Sequence, residues 1–487
     1  MTPTSVPGTL WLIVEFVMKI VALGVVPENR RPSSSSAWLL LILFVPVIGF
    51  PLYWLIGSPW VTGRRRAIQR ESDQVIKDHM AGVPLVPSDA RPAQTLGGVL
   101  RMNRDLTGMP SLTGSVDCLL ADAEETYEAM ARAVDGARRY VHVEFYIMAW
   151  DTTTDVFFAA LARAVRRGVK VRLLVDQLGS MKYPGWRQFG RRLSEIGVEW
   201  RLMMPIDLLR RRWRRPDLRN HRKLLVVDGE LALVGSHNVI DPHYGKAKNR
   251  AIGRRWHDLS VMVSGGVVLE VEAVFAMDWF VESGELLDRA EHFTTREPEP
   301  LGGSVNALQL VPSGPGYPTE PNHRMFVALM YAAEHTITIT SPYFVPDSAL
   351  LAAMTSAVYR GVRVELFVGA EADQFVVGHA QRSYYEALLE AGVRLFLYPA
   401  PAVLHAKYMT VDDAVGVIGS SNMDYRSFAL DYEIMMLGFG GNLVGLLHSN
   451  DEHYRQVSHE LTLEEWRTRP WHQKYVNNVC RLASALM

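Results

Sequence analysis

The chain is 487 residues long and carries 51 Lys and Arg against 52 Asp and Glu, a net charge of −1. The length predicts two or three domains rather than one, and the near-zero charge excludes a protein that binds polyanions through bulk charge. The only cysteines, Cys118 and Cys480, stand alone, which excludes a Cys-built zinc or iron site and predicts a reduced, disulfide-free chain.

In chain order, the first predicted elements are apolar. Leu10 to Val26 is a hydrophobic run in which Glu15 and Lys19 stand four apart and can pair on one helix face. Ala37 to Ile56, AWLLLILFVPVIGFPLYWLI, is twenty residues without a charge, the length that spans about 30 Å of hydrocarbon. Pro46 and Pro51 are tolerated in membrane helices. The expectation is an N-terminal transmembrane helical hairpin over residues 1–62, an interfacial helix being the alternative for the first run. A cleaved signal peptide fits poorly, because no basic segment precedes the run. Arg64, Arg65, Arg66 and Arg70 follow the second run and only Arg30 and Arg31 lie between the two. That bias places the rest of the chain on the cytoplasmic side of a multi-pass cell-membrane protein.

Residues 63–108 are mixed and Pro-containing, and read as a linker. From there on, helical and strand patterns alternate, which predicts α/β architecture, and the two halves repeat each other. AVRRGVKVRLLVD from Ala164 matches AVYRGVRVELFVG from Ala357, each a helix end, a Gly stop and a buried strand. ARRYVHVEFYI from Ala137 parallels AEHTITITSPYF from Ala333. Two similar domains are expected, over 109–295 and 296–487, with mixed sheets flanked by helices. One feature is unpaired: Arg210 to Arg215 holds five Arg and one Trp, a lipid-surface patch or a solvated basic loop.

The repeat is sharpest at NHRKLLVVDGELALVGSHN (220–238) and LHAKYMTVDDAVGVIGSSN (404–422). In both, a His and a Lys two apart open a branched apolar strand and so project together from one end of it. An Asp follows five residues after the Lys, then Gly-Ser, then Asn, and the two copies lie 184 residues apart. Buried strands seldom carry a cation without a partner, so the pairs either sit in water or face an anion. Spacing shared at six positions favours a duplicated site facing one anionic group.

The chemistry fits a phosphodiester. Lys223 and Lys407 can neutralise its non-bridging oxygens, and Ser236, Asn238, Ser420 and Asn422 can bind the phosphate. One neutral imidazole can attack phosphorus while a protonated one delivers a proton to the leaving alkoxide, and His supplies both forms near neutral pH. The candidate catalytic set is His221, Lys223, Asp228, His405, Lys407 and Asp412. Within it, Asp228 and Asp412 stand seven residues beyond each His, roughly 20 Å or more in an extended strand, and read as turn or structural residues. Asp258 and Glu433, just beyond the Gly-Ser-x-Asn turns, are the candidate acceptors that orient the imidazoles. Glu144 either faces the site or ends a solvated strand. His237, His243, His257 and His379 have no repeat partner and read as ordinary polar residues. No cofactor or metal is called for.

HRKLLVVDGELALVGSHN and HAKYMTVDDAVGVIGSSN resemble the paired motifs of the phospholipase D superfamily. With EFYIMAWDTTTD from Glu144, VPSGPG from Val311, SPYFVPD from Ser341, SNMDYRSFALDYE from Ser421 and EEWRTRP from Glu464, nearly the whole chain is similar to its membrane-anchored bacterial cardiolipin synthases. The resemblance implies two tandem phospholipase-D-like domains and a phosphatidyl transfer between two phosphatidylglycerol molecules through a covalent phosphatidyl-histidine, giving cardiolipin and glycerol. It implies His221 as nucleophile and His405 as acid, then base. A hydrolytic phospholipase D, or a phosphatidyltransferase with another acceptor alcohol, is the alternative. The expected partners are anionic phospholipid and the bilayer, without nucleic acid; the oligomeric state stays open.

Overall fold

The computed structural model describes residues 6–28, 32–57, 82–206, 215–287, 299–301, 304–317 and 319–482, with Ile68, Glu71, Gln74 and Met80 between. Residues 210–214 of the basic run, and Arg30, Arg31, Arg64, Arg65, Arg66 and Arg70, lie outside the described residues.

The N-terminal expectation is overturned. Among the described residues no helix is long and apolar enough to cross a membrane. The transmembrane hairpin, the membrane-anchored multi-pass topology and the cytoplasmic placement derived from it are therefore unsupported. The physical reason is proline. A Pro residue has no N–H to continue the helical ladder, and at Val45, before Pro46, the backbone leaves helical geometry (φ −136°). The uncharged stretch is thus cut into a 13-residue helix Pro32–Phe44, a 7-residue helix Pro46–Leu52 and a π-turn Tyr53–Gly57. Thirteen residues reach about 20 Å, short of the about 30 Å required. The first helix, Val6–Val25, carries a Glu15–Lys19 ion pair of 2.6 Å midway along. These pieces pack on one another through Ala22, Val26, Trp38, Ile42 and Tyr53.

The body consists of two α/β halves whose strands run in the same order. From its outer edge inward, the first half has Glu199–Met203, Lys170–Asp176, Tyr140–Phe145, Lys223–Val227, Leu231–Gly235, Ser260–Gly265 and Leu112–Leu120. The second has His459–Leu461, Arg394–Tyr398, Arg363–Gly369, Thr336–Thr340, Tyr408–Val411, Val415–Gly419, Asp431–Phe439 and Val305–Ser313. In each, three strands pair in parallel and the inner strands are antiparallel. The halves join where Leu112–Leu120 pairs with Val305–Ser313.

Both faces of the inner strands are buried, which explains their near-continuous apolar runs. Leu225 and Val227 enter the first half's own core with Phe157, Phe158 and Leu173. Leu224 and Val226 enter a core shared by the halves, against Tyr408, Ile418 and Ile434. This shared core brings the two His-Lys strands together. Within 63–108, Leu96–Thr107 is a helix that buries Leu96, Val99 and Leu100 against Val311, Met325 and Phe326 of the second half.

Candidate active site

Each His-Lys motif is inserted into the opposite half. Arg219–Asn220 pairs in parallel with the start of Asp431–Phe439, and the N–H of His221 then donates to the Tyr432 carbonyl at 2.8 Å. Val403–Leu404 pairs in parallel with Trp256–His257, and the N–H of His405 donates to the His257 carbonyl at 2.7 Å. In both cases the next residue on the partner strand is a carboxylate. His221 Nδ1 lies 3.0 and 3.2 Å from the two oxygens of Glu433, and His405 Nδ1 lies 2.6 Å from Asp258 Oδ1. Each imidazole is thus oriented by the other half. Among the described residues neither Nε2 has a hydrogen-bond partner, so Nε2 is the atom each ring presents for chemistry.

The four basic groups share one electrostatic field. His221 is 9% and His405 6% exposed, and both lysines are buried. Burial, reinforced by Lys223, Lys407 and His405, pushes the His221 imidazole well below its ordinary value. Burial also lowers His405, against the opposing pull of Asp258. Lys223 is pushed down to about 7 by burial with help from Lys407, and Lys407 to about 8 by burial, with Asp258 and Glu433 opposing. Each ammonium donates to the carbonyl of its own His two residues earlier.

The two carboxylates differ. Burial raises Glu433 to about 7 despite Lys223 and the Ser420 hydroxyl. Burial also raises Asp258, but His405, His237 and Lys407 override it and hold that carboxyl well below the usual range. His405 therefore faces a permanent anion, and His221 faces an acid that titrates near neutrality.

The remaining sequence candidates hold the scaffold. Ser236 Oγ accepts from Leu259 N–H (2.9 Å) and Ser420 Oγ from Ile434 N–H (2.9 Å), while Ser420 also donates to Glu433. The preceding glycines are required by close approach: a Cβ on Gly235 or Gly419 would collide with the backbone of Ser260 or Ile434. Asn238 accepts from Ile147 N–H at 3.2 Å and donates to Tyr244 Oη at 2.9 Å; Asn422 donates to Ser427 Oγ at 3.2 Å. Asp228 accepts from the N–H groups of Arg138, Arg139 and Tyr140, and Asp412 from those of Glu334, His335 and Thr336. Both have positive φ, 55° and 51°. Their carboxylates tie a turn to the neighbouring strand, and neither contacts an imidazole. Glu144 is buried, with Asn220 Nδ2 donating to it at 2.8 Å. Among the described residues no three His, Cys, Asp or Glu converge as metal ligands.

Two neighbours escaped sequence reasoning. The Tyr146 ring meets His221 edge-on at 4.9 Å and lies 5.4 Å from the Lys223 ammonium. Asp431 sits beside Glu433 and Arg426, its carboxyl raised by burial to about 8. Tyr146 falls near the end of ARRYVHVEFYI, the stretch that parallels AEHTITITSPYF in the second half, the one signal that pointed to it.

Comparison with known proteins places the chain in a family. Residues 130–279 and 326–450 match the family described as "Cardiolipin synthase, PLD-like domain", and residues 9–58 match "Phospholipase_D-nuclease N-terminal". The chain is 30% identical over 99% of its length to a cardiolipin synthase of Alkalihalophilus pseudofirmus, covering 94% of that protein. It is 31% identical to a cardiolipin synthase A of Serratia proteamaculans, over 95% of this chain and 96% of that one. Among solved structures, a phosphatidylserine synthase of Haemophilus influenzae shares the fold, with a TM-score of 0.58 at 15% identity over 80% of this chain and 99% of that one. The chain belongs to the cardiolipin synthase branch of the phospholipase-D-like family.

Proposed function

We propose that His221 and His405, each held by a carboxylate from the opposite half, form one centre for phosphodiester exchange. The enzyme is a phosphatidyltransferase: it transfers a phosphatidyl group between two phosphatidylglycerol molecules and yields cardiolipin and glycerol. In the first step His221 Nε2 attacks phosphorus, the P–O bond to the glycerol headgroup breaks, and His405 Nε2–H gives its proton to the departing oxygen. In the second, His405 takes a proton from the hydroxyl of the second phosphatidylglycerol, that oxygen attacks phosphorus, and the P–N bond breaks. Lys223 and Lys407 neutralise the non-bridging oxygens throughout. The different settings of the imidazoles support this division. Burial and the neighbouring cations keep His221 deprotonated and free to attack; burial lowers His405 too, but its ionised aspartate pulls the other way and favours the proton-carrying form.

The crosswise His–carboxylate pairing carries the reading. The test supplies phosphatidylglycerol alone. Cardiolipin and free glycerol should appear in equal amounts. Phosphatidic acid as the dominant product would make water the acceptor and refute the transfer.

A further inference from the structure

The two motifs differ at the residue between His and Lys: Arg222 in the first, Ala406 in the second. Strand alternation sends Arg222 to the face opposite His221 and Lys223. There it is fully buried. Its Nε donates to the main-chain carbonyl of Glu433 at 3.2 Å, and Nη1 donates to Asp278 on the helix Val267–Ser283. Its guanidinium lies 5.5 Å from the Tyr432 ring. Asn220 locks the same assembly, donating to Glu144 at 2.8 Å and Asp278 at 3.2 Å and accepting from Arg222 N–H at 3.0 Å. One guanidinium therefore grips the backbone of the residue that orients His221, across the interface between the halves. We infer that Arg222 is a positioning residue: by fixing the Glu433 main chain from behind, it holds the Glu433 carboxylate on His221 Nδ1. Ala406 offers no such grip, so the device belongs to the first motif alone.

This rests on His221 being the group that attacks phosphorus. The test uses Arg222→Lys, which keeps a cation for Asp278 but lacks the fork that reaches both partners. It is assayed on the full chain with bis(4-nitrophenyl) phosphate, whose leaving group needs no protonation, and in parallel with phosphatidylglycerol. The pre-steady-state nitrophenolate burst should slow by about tenfold or more, the range expected for loss of a second layer of support, with KM within about twofold. The ascending limb that Glu433 gives the pH profile as it ionises near 7 should flatten, because a displaced carboxylate stabilises the cationic imidazole formed on attack less. The other charged groups that act on His221, namely Lys223, Lys407, His405 and Arg426, are unchanged. In a Glu433→Gln background, R222K should add little, since both act through one contact.

An unchanged burst and limb, or full additivity with E433Q, would overturn the inference. If R222K fails to fold, Arg222→Met with Asp278→Asn removes both charges. A folded double variant should show the same slow burst, and failure of both to fold would make Arg222 purely structural. A wild-type enzyme that releases nitrophenolate but makes no cardiolipin refutes the substrate reading while leaving this one intact. Inactivity toward both substrates sinks both.

Discussion

Glu433→Gln probes the pairing of His221 most directly. Attack through Nε2 turns the imidazole into a cationic phosphoimidazolium, and Glu433 lies 3.0 Å from its Nδ1 in a buried setting. Opposite charges about 4 Å apart at an effective dielectric constant of about 20 attract by about 4 kcal/mol. Glutamine keeps a neutral hydrogen bond of about 1 kcal/mol, leaving a deficit of about 3 kcal/mol, or roughly a hundredfold in rate. Burial raises the Glu433 carboxyl to about 7, so its charge is present above that pH and lost as the pH falls through it. The penalty should therefore be about a hundredfold at pH 8 and shrink by about tenfold at pH 6, where wild type has itself lost most of the charge. The assay is the initial rate of cardiolipin formation from phosphatidylglycerol micelles, with circular dichroism to confirm the fold. A rate within threefold of wild type at pH 8, or an equal penalty at both pH values, would refute this reasoning.

Other variants separate the remaining roles. Asp258→Asn should slow turnover of phosphatidylglycerol far more than of a nitrophenyl phosphodiester, because His405 is needed as an acid only for a poor leaving group; equal losses would contradict that role. Asp228→Ala removes three backbone N–H bonds and should lower stability by about 3 kcal/mol, read as a fall of several degrees in Tm. The turnover of the folded fraction should change by less than about threefold, and a hundredfold loss would restore Asp228 to the catalytic set. Lys223 and Lys407 have their ammonium groups lowered to about 7 and 8 by burial, so the free enzyme loses these charges as pH rises through that window. KM for phosphatidylglycerol should climb above pH 8, and a KM flat to pH 9.5 would contradict phosphate binding by these groups.

Several of these features could be read in the sequence. The shared spacing at 221 and 405 implied one duplicated device, and seven strands of each half do follow the same order, the second half adding the edge strand His459–Leu461. The carboxylates at 258 and 433 were visible as acids beyond the Gly-Ser-x-Asn turns. Which imidazole each serves was not visible, because the pairing is crosswise and joins residues 147 and 212 apart in the chain. Local pattern carries no information on that order. Arg222 was on view as the Arg of one motif against the Ala of the other, but its grip on a main-chain carbonyl leaves no trace in residue types. Glu144 could not be placed because an acid in a strand suits water as well as a buried Asn partner. The N-terminal reading failed for another reason. A hydropathy run records composition, whereas Pro46 acts through geometry, ending the helix at Val45 and leaving pieces too short for the span.

In the proposed exchange phosphorus passes through a covalent bond to His221. Rapid acid-free quenching of the enzyme during turnover of phosphatidylglycerol, followed by peptide mass spectrometry, tests it most directly. A phosphatidyl adduct should appear on the peptide carrying His221, lost in His221→Ala and also lost when the second phosphatidylglycerol is allowed to consume it. An adduct confined to His405, or cardiolipin formed at the wild-type rate by His221→Ala, would contradict it.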